Sequence, residues 1–133
     1  MGKIPAKHSP FRGAVAAHSV TFTIGTETTN TINVAMQLKD ANGASIGEKC
    51  AVDFYLSDSS VGLGVTATAP TGNFAIGTNG TFVVWTAGKS GKLISNASGQ
   101  VDITITETGT PTFYPVVVFP DGTIQVGSAI TFA

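Results

Sequence analysis

Short stretches of this 133-residue chain carry residue types that do chemistry elsewhere. Gly43-Ala44-Ser45-Ile46-Gly47 spells the Gly-x-Ser-x-Gly of a nucleophile elbow, where a strand-to-helix turn presents a serine to a histidine later in the chain. Both histidines, His8 and His18, precede Ser45, so a polar linker after a hairpin turn is expected. Gly62-Leu63-Gly64-Val65-Thr66-Ala67 fits Gly-x-Gly-x-x-Ala, but no βαβ pattern surrounds it and it reads as a loop. Gly88-Lys89-Ser90 ends like a phosphate-binding loop, yet Val83 stands where its first glycine belongs and no helix pattern follows, so a turn is expected. Asp40-Ala41-Asn42-Gly43 begins like a calcium loop and lacks the closing Glu. It reads as a hairpin turn, with Asp58 and Asp121 as further loop acids.

Catalysis needs titratable groups gathered and tuned in one place. Here the acids are scattered singly, and Cys50 alternates with Val52, Phe54 and Leu56 on what reads as a core-facing strand side. The sequence therefore points away from an enzyme and calls for no cofactor or metal. Among the aromatics, Tyr55, Trp85 and Tyr114 most often serve as core or corner residues. Trp85 shares a strand face with Val83, opposite Phe82 and Val84; if that face is outward, Trp85, with Tyr55, is the best candidate for an interface or for sugar stacking.

The elements that must position these residues read as strands. Threonine is about one residue in seven and glycine numbers 16, a strand-rich and turn-rich composition. Ile32, Val34, Met36 and Leu38 alternate with polar neighbours, as do Val20, Phe22 and Ile24, and Val101, Ile103 and Ile105. Asn42-Gly43, Asn79-Gly80, Ser98-Gly99 and Asp121-Gly122 tolerate the positive φ of tight turns. Strands are expected near 19–25, 31–39, 48–57, 73–77, 81–86, 91–95, 100–107, 112–119 and 123–132. The fold class is thus all-β, an immunoglobulin-like antiparallel β-sandwich of seven to nine strands over residues 19–133, preceded by an extended basic arm over 1–18. Within 101–132 the pattern resembles the last three strands of such a sandwich. Tyr114 stands two residues before Val116, as a tyrosine corner would, with Val116 in place of the second core cysteine. Pro115 departs from a regular strand. The run Phe113 to Phe119 is apolar on both faces, which implies a strand covered on both sides or one whose outer face meets a partner.

Charged residues are 11% of the chain, under half the roughly 25% of an average soluble domain. The charge is also unevenly placed. Lys3, Lys7 and Arg12 precede the first acid, Glu27, so residues 1–26 carry +3 and the remainder −4, for a net −1. The arm residues Lys3, Ile4, Lys7, His8, Phe11 and Arg12, stiffened by Pro5 and Pro10, are expected to dock on an acidic surface of a partner or sister subunit. Three arm cations are too few for a nucleic-acid groove, and no apolar run approaches the ~20 residues that span a bilayer. The N-terminus lacks the apolar stretch of a secretory signal and the Ser or Thr of a myristoylation site.

The runs Ile32 to Gly43 and Val52 to Asp58, the segments Ala69 to Gly72 and Ile76 to Gly80, the stretch Ser95 to Glu107 and the terminal Gly127 to Phe132 resemble small immunoglobulin-like virion proteins of tailed bacteriophages. The resemblance implies a capsid decoration or cement protein on the outer surface of the virion, assembled in the host cytoplasm. It would bind the major capsid protein, stabilise the shell and self-associate, with a trimer implied by the resemblance alone. The alternative is a carbohydrate- or receptor-binding module of a fibre or tail, recognising a host-surface glycan through loops such as Ser57 to Asn73 and outward aromatics.

Overall fold

The structure, a computed structural model, describes residues 16–133. Ten strands follow in chain order: β1 (Ser19–Ile24), β2 (Thr31–Lys39), β3 (Ala51–Ser57), β4 (Phe74–Ile76), β5 (Thr81–Thr86), β6 (Ser90–Ile94), β7 (Gln100–Thr106), β8 (Thr112–Val118), β9 (Ile124–Val126) and β10 (Ile130–Thr131). They form two antiparallel sheets, a four-stranded one in the order β1-β2-β7-β4 and a six-stranded one in the order β10-β8-β3-β6-β5, with β9 also paired to β8. The expected all-β, immunoglobulin-like sandwich is therefore the observed fold. Its two sheets match the A-B-E-D and G-F-C arrangement. The β5–β6 hairpin is inserted between the D-like β4 and the E-like β7 and widens the second sheet beyond β3.

Alternation places the core. Ile32, Val34, Met36 and Leu38 of β2 are all buried, as are Val52, Phe54 and Leu56 of β3 and Val101, Ile103 and Ile105 of β7. Cys50 lies in the same cluster, on the predicted side. Phe74 bridges the sheets. It meets Phe54 edge-on with ring centroids 5.5 Å apart and Phe82 at 5.0 Å, within the range of favourable aromatic pairs. Phe82 has room because it lies over Gly91, where any Cβ would strike its ring.

The last expected strand, 123–132, is two strands. β9 and β10 pair with opposite ends of β8, and between them the Gly127 N–H donates to the Pro115 carbonyl at 2.8 Å. Proline has no N–H to return that bond, so the ladder breaks there. Gly127 is also pressed by Pro115 and the Phe22 ring, which a Cβ would meet at 2.7 and 2.9 Å.

The pairing of β8 with β3 corrects the expected role of Val116 and places Tyr114. Val117 is in register with the core residue Phe54, whereas Val116 pairs with Tyr55 and Tyr114 with Ser57. Val117 therefore occupies the position between the sheets. Val116, although fully buried, lies on the outer face and outside the core cluster. Tyr114 shares that outer face and is half-buried. Of the predicted arm, residues 16–18 already belong to the body: Ala17 is buried in the core, and the His18 N–H donates to the Lys39 carbonyl at 2.9 Å.

Candidate interaction surface

The outer face of the six-stranded sheet gathers the exposed apolar residues. Pairing sets Val118, Asp53, Lys92 and Val83 in one row across β8, β3, β6 and β5, and Val116, Tyr55 and Ser90 in the next. At the end of this second row the register of β5 shifts between Val84 and Thr86, leaving Trp85 as the extra residue of a bulge. Bulges re-aim side chains at sheet edges. On this face Val83 and Trp85 are 47% and 55% exposed; Val84, 54% exposed, lies on the other side of the strand, in the row of Gly91 and Phe54. The Lys92 ammonium sits 5.8 Å from the Trp85 ring centroid and 3.0 Å from Asp53 Oδ1. Both partners of that ion pair are well exposed, so it adds little stability; its effect is to leave both charges matched beside the indole.

A loop covers the other half of this face. From the end of β3 the chain runs out through residues 58–66 and returns with the Thr66 N–H donating to the Leu56 carbonyl at 2.7 Å. Gly62 and Gly64 have φ of +74° and +76°, conformations that glycine adopts without strain. Gly62 rests on Val116, Ile124 and Val126, which explains the burial of Val116 on an outward face. The both-sides-apolar run of β8 is thus covered here by the chain itself. The Tyr55 hydroxyl donates to the Gly62 carbonyl at 2.6 Å. Its burial pushes the phenol above its ordinary value. Asp58 holds the return: Thr66 Oγ1 donates to Oδ1 at 2.6 Å and the Ala67 N–H to Oδ2 at 3.0 Å, and these bonds keep its carboxyl below the usual range. What this bracing presents to solvent is apolar. Val61, Leu63 and Val65 are 63%, 78% and 49% exposed, and Ile124 beside Gly62 is 45% exposed.

The outer face of the four-stranded sheet is polar by contrast. Thr21, Thr23, Asn33, Gln37, Gln100 and Asp102 line an open groove of about 500 Å³. Asp102 is buried there and accepts from Asn33 Nδ2 at 2.7 Å and from the Thr78 and Asn79 N–H groups at 3.0 and 2.6 Å. Burial alone would raise its carboxyl; the hydrogen bonds from Asn33, Asn79 and Thr78 outweigh that and hold it below the ordinary value. Its oxygens are therefore already engaged, and its work is to fix the β4–β5 connection.

The remaining motif residues have structural duties. Ser45 sits in an isolated bridge to Lys39 with no helix after it. Asp40 Oδ1 accepts from the Asn42 and Ala44 N–H groups at 2.9 and 3.0 Å, and Asp121 Oδ1 from the Thr123 N–H and hydroxyl at 2.9 and 2.7 Å. Both acids close turns. Gly88 and Lys89 form the β5–β6 turn, and Lys89 Nζ donates to the Ala67 carbonyl at 2.9 Å.

Of the predicted site residues, Trp85 and Tyr55 share the outer face of the six-stranded sheet, Trp85 exposed and Tyr55 tethering the loop. Lys3, Ile4, Lys7, His8, Phe11 and Arg12 lie outside the described residues. The Ser57 to Asn73 loop is expected only as part of a glycan-binding alternative, and its aliphatic residues Val61, Leu63 and Val65 are not singled out by the sequence reading. The signal was available: three aliphatic residues spaced by glycines in a segment read as a loop, where nothing in the pattern promised them a core. No family model matches the chain, and no curated protein matches it significantly.

Proposed function

We propose that this chain is a non-enzymatic structural subunit that decorates the outside of a tailed-phage capsid, binding the major capsid protein and stiffening the shell. The observation that carries the reading is the braced apolar loop. Leu63 is 78% exposed on a segment held by Tyr55, Asp58 and Thr66, and exposed contiguous apolar surface marks sites of association. A pre-ordered loop also loses little conformational freedom on docking. The resemblance of most of residues 30–133 to phage virion proteins supplies the partner, and the basic arm supplies a second contact for an acidic patch on it. Many equivalent copies on one shell would make modest contacts collectively strong.

The reading is tested by labelling the protein on purified particles. Label over the capsid, together with earlier DNA loss on heating for particles that lack the protein, supports it; label confined to tails overturns it. The alternative of glycan recognition rests on Trp85, whose indole is exposed but already paired with Lys92. A glycan array read by Trp85 fluorescence separates the two.

A further inference from the structure

We propose that the free edge of β5 is where a second copy of this chain joins, strand against strand. The inference is independent of the capsid reading, since it rests on the sheet edge alone.

A sheet edge carries unpaired N–H and C=O groups that template another strand, and folds usually blunt it with short strands, charge, proline or a covering group. Three of this sandwich's edge strands are blunted by length: β4, β9 and β10 span three, three and two residues. The six-residue β1 is blunted by a plug. The Val20 N–H donates to Gln125 Oε1 at 3.0 Å and Gln125 Nε2 donates to the Val20 carbonyl at 2.6 Å, so one side-chain amide stands in for a neighbouring strand.

Among the described residues, the six-residue β5 has no such plug, and its only blunting feature is the bulge at Trp85. Among the described residues, no hydrogen bond other than those of the β5–β6 ladder reaches the backbone of residues 81–85. Its sequence, Thr-Phe-Val-Val-Trp-Thr, has neither charge nor proline, and every residue is of a type enriched in strands. The bulge at Trp85 limits the regular edge to Thr81–Val84 and leaves Val83, Val84 and Trp85 as exposed apolar surface flanking it.

A second copy is the occupant this edge fits. Antiparallel pairing of β5 with itself about a two-fold axis sets β-branched and aromatic residues against their like and opposes no charges, the self-complementarity that an isologous contact requires. The chain's net charge of −1 offers little repulsion between copies. The chain's own arm fits less well. Pro5 and Pro10 remove ladder donors at close spacing, and Asp53, the acid in the row that reaches Val83, already pairs with Lys92. Four residues of regular edge make a small interface, so association is expected in the weak range, at about micromolar or above.

The test is sedimentation of the full chain over a concentration series, beside the variant Val83→Glu. Val83 is in register with Lys92, so the new carboxylate has a cation on its own sheet and the fold is retained, while two copies paired at this edge bring like charges together. Reversible dimerisation that Val83→Glu weakens at least tenfold is the expected result. A chain that stays monomeric to millimolar concentration, or association of any order that Val83→Glu leaves unchanged, overturns the proposal. Hydrogen exchange on the unmutated chain gives a second readout that needs no variant. The outward β5 amides are expected to slow as concentration rises, and exchange independent of concentration in an associating sample also overturns the proposal.

Discussion

The Tyr55 hydroxyl donates to the Gly62 carbonyl at 2.6 Å, tying the middle of the six-stranded sheet to the loop that lies over it. This single bond links the row of β3 to the segment that presents Leu63. Tyr55→Phe removes the donor and leaves a half-buried carbonyl to find water. Stability is expected to fall by about 0.5–1.5 kcal/mol, the usual net worth of such a bond, and the amides of residues 59–65 to exchange faster while those of β2 and β7 do not. Because burial raises the phenol above its ordinary value of 10.0, the folded state favours the neutral form. The stabilisation is complete below that pH and lost as pH rises through the raised value. A denaturant series between neutral pH and pH 11 should show this decline for the unmutated chain and lack the Tyr55 share of it in Tyr55→Phe.

Gly62 itself is constrained twice. Its φ is +74°, and a Cβ would stand 2.9 Å from Val126 Cγ2 and 3.3 Å from Ile124 Cδ1. Gly62→Ala therefore combines a left-handed conformation with a steric push against β9. A loss of about 1–3 kcal/mol is expected, visible as a lower denaturation midpoint. Gly43, with φ +79° and open space around its Cα, carries the backbone cost without the clash, and Gly43→Ala should lose measurably less.

How much of this was legible beforehand differs between the two sheets. Clean alternation in β2 and β7 assigns their inward residues without a structure, and Asn-Gly and Asp-Gly pairs mark the turns. In β8 the residues Val116, Val117 and Val118 are all apolar, so alternation cannot tell which side is the core. Only the register with Phe54 and Tyr55 of β3 decides it, and long-range pairing of that kind is not written in a local pattern. The bulge at Trp85 has the same origin, since it arises from the match of two strands. The loop surface was hidden differently. A Gly-x-Gly segment reads as irregular whatever lies between its glycines, and the exposure of Leu63 follows from Tyr55, Asp58 and Thr66 bracing the loop from elsewhere.

Asp102 predicts an acid-side dependence. Its carboxylate accepts three hydrogen bonds in a buried site, and its folded value lies below the ordinary 3.8. A depressed carboxyl contributes fully above the unfolded value, so stability is expected to hold above about pH 5 and to drop as pH falls through 4 toward the folded value. Oδ2 takes the Asn33 and Thr78 donors and Oδ1 the Asn79 donor, so in Asp102→Asn the NH₂ faces at least one donor whichever way the amide turns, and a loss of about 1–3 kcal/mol at neutral pH is expected. The decisive measurement is the slope of stability against pH between 5 and 3. It should flatten in Asp102→Asn, whereas Asp58 and Asp121, also depressed by hydrogen bonds to Thr66 and Thr123, keep a smaller slope in both proteins.

Leu63 separates stability from association most cleanly. At 78% exposure it contributes almost nothing to the core, and surface substitutions away from special features stay within about 0.5 kcal/mol. Leu63→Ser should therefore leave the denaturation midpoint unchanged. If the braced loop is the docking element, the same change removes most of a leucine's burial at the interface, about 1.5–3 kcal/mol per copy, and lowers affinity for particles by roughly tenfold or more per contact. Co-sedimentation of the variant with purified particles measures this directly. Retained binding at unchanged stability would move the contact away from residues 61–65 and toward the arm, where Arg12→Glu becomes the next substitution to compare. Self-association through β5 provides an internal control, because Leu63→Ser should not alter it while Val83→Glu should.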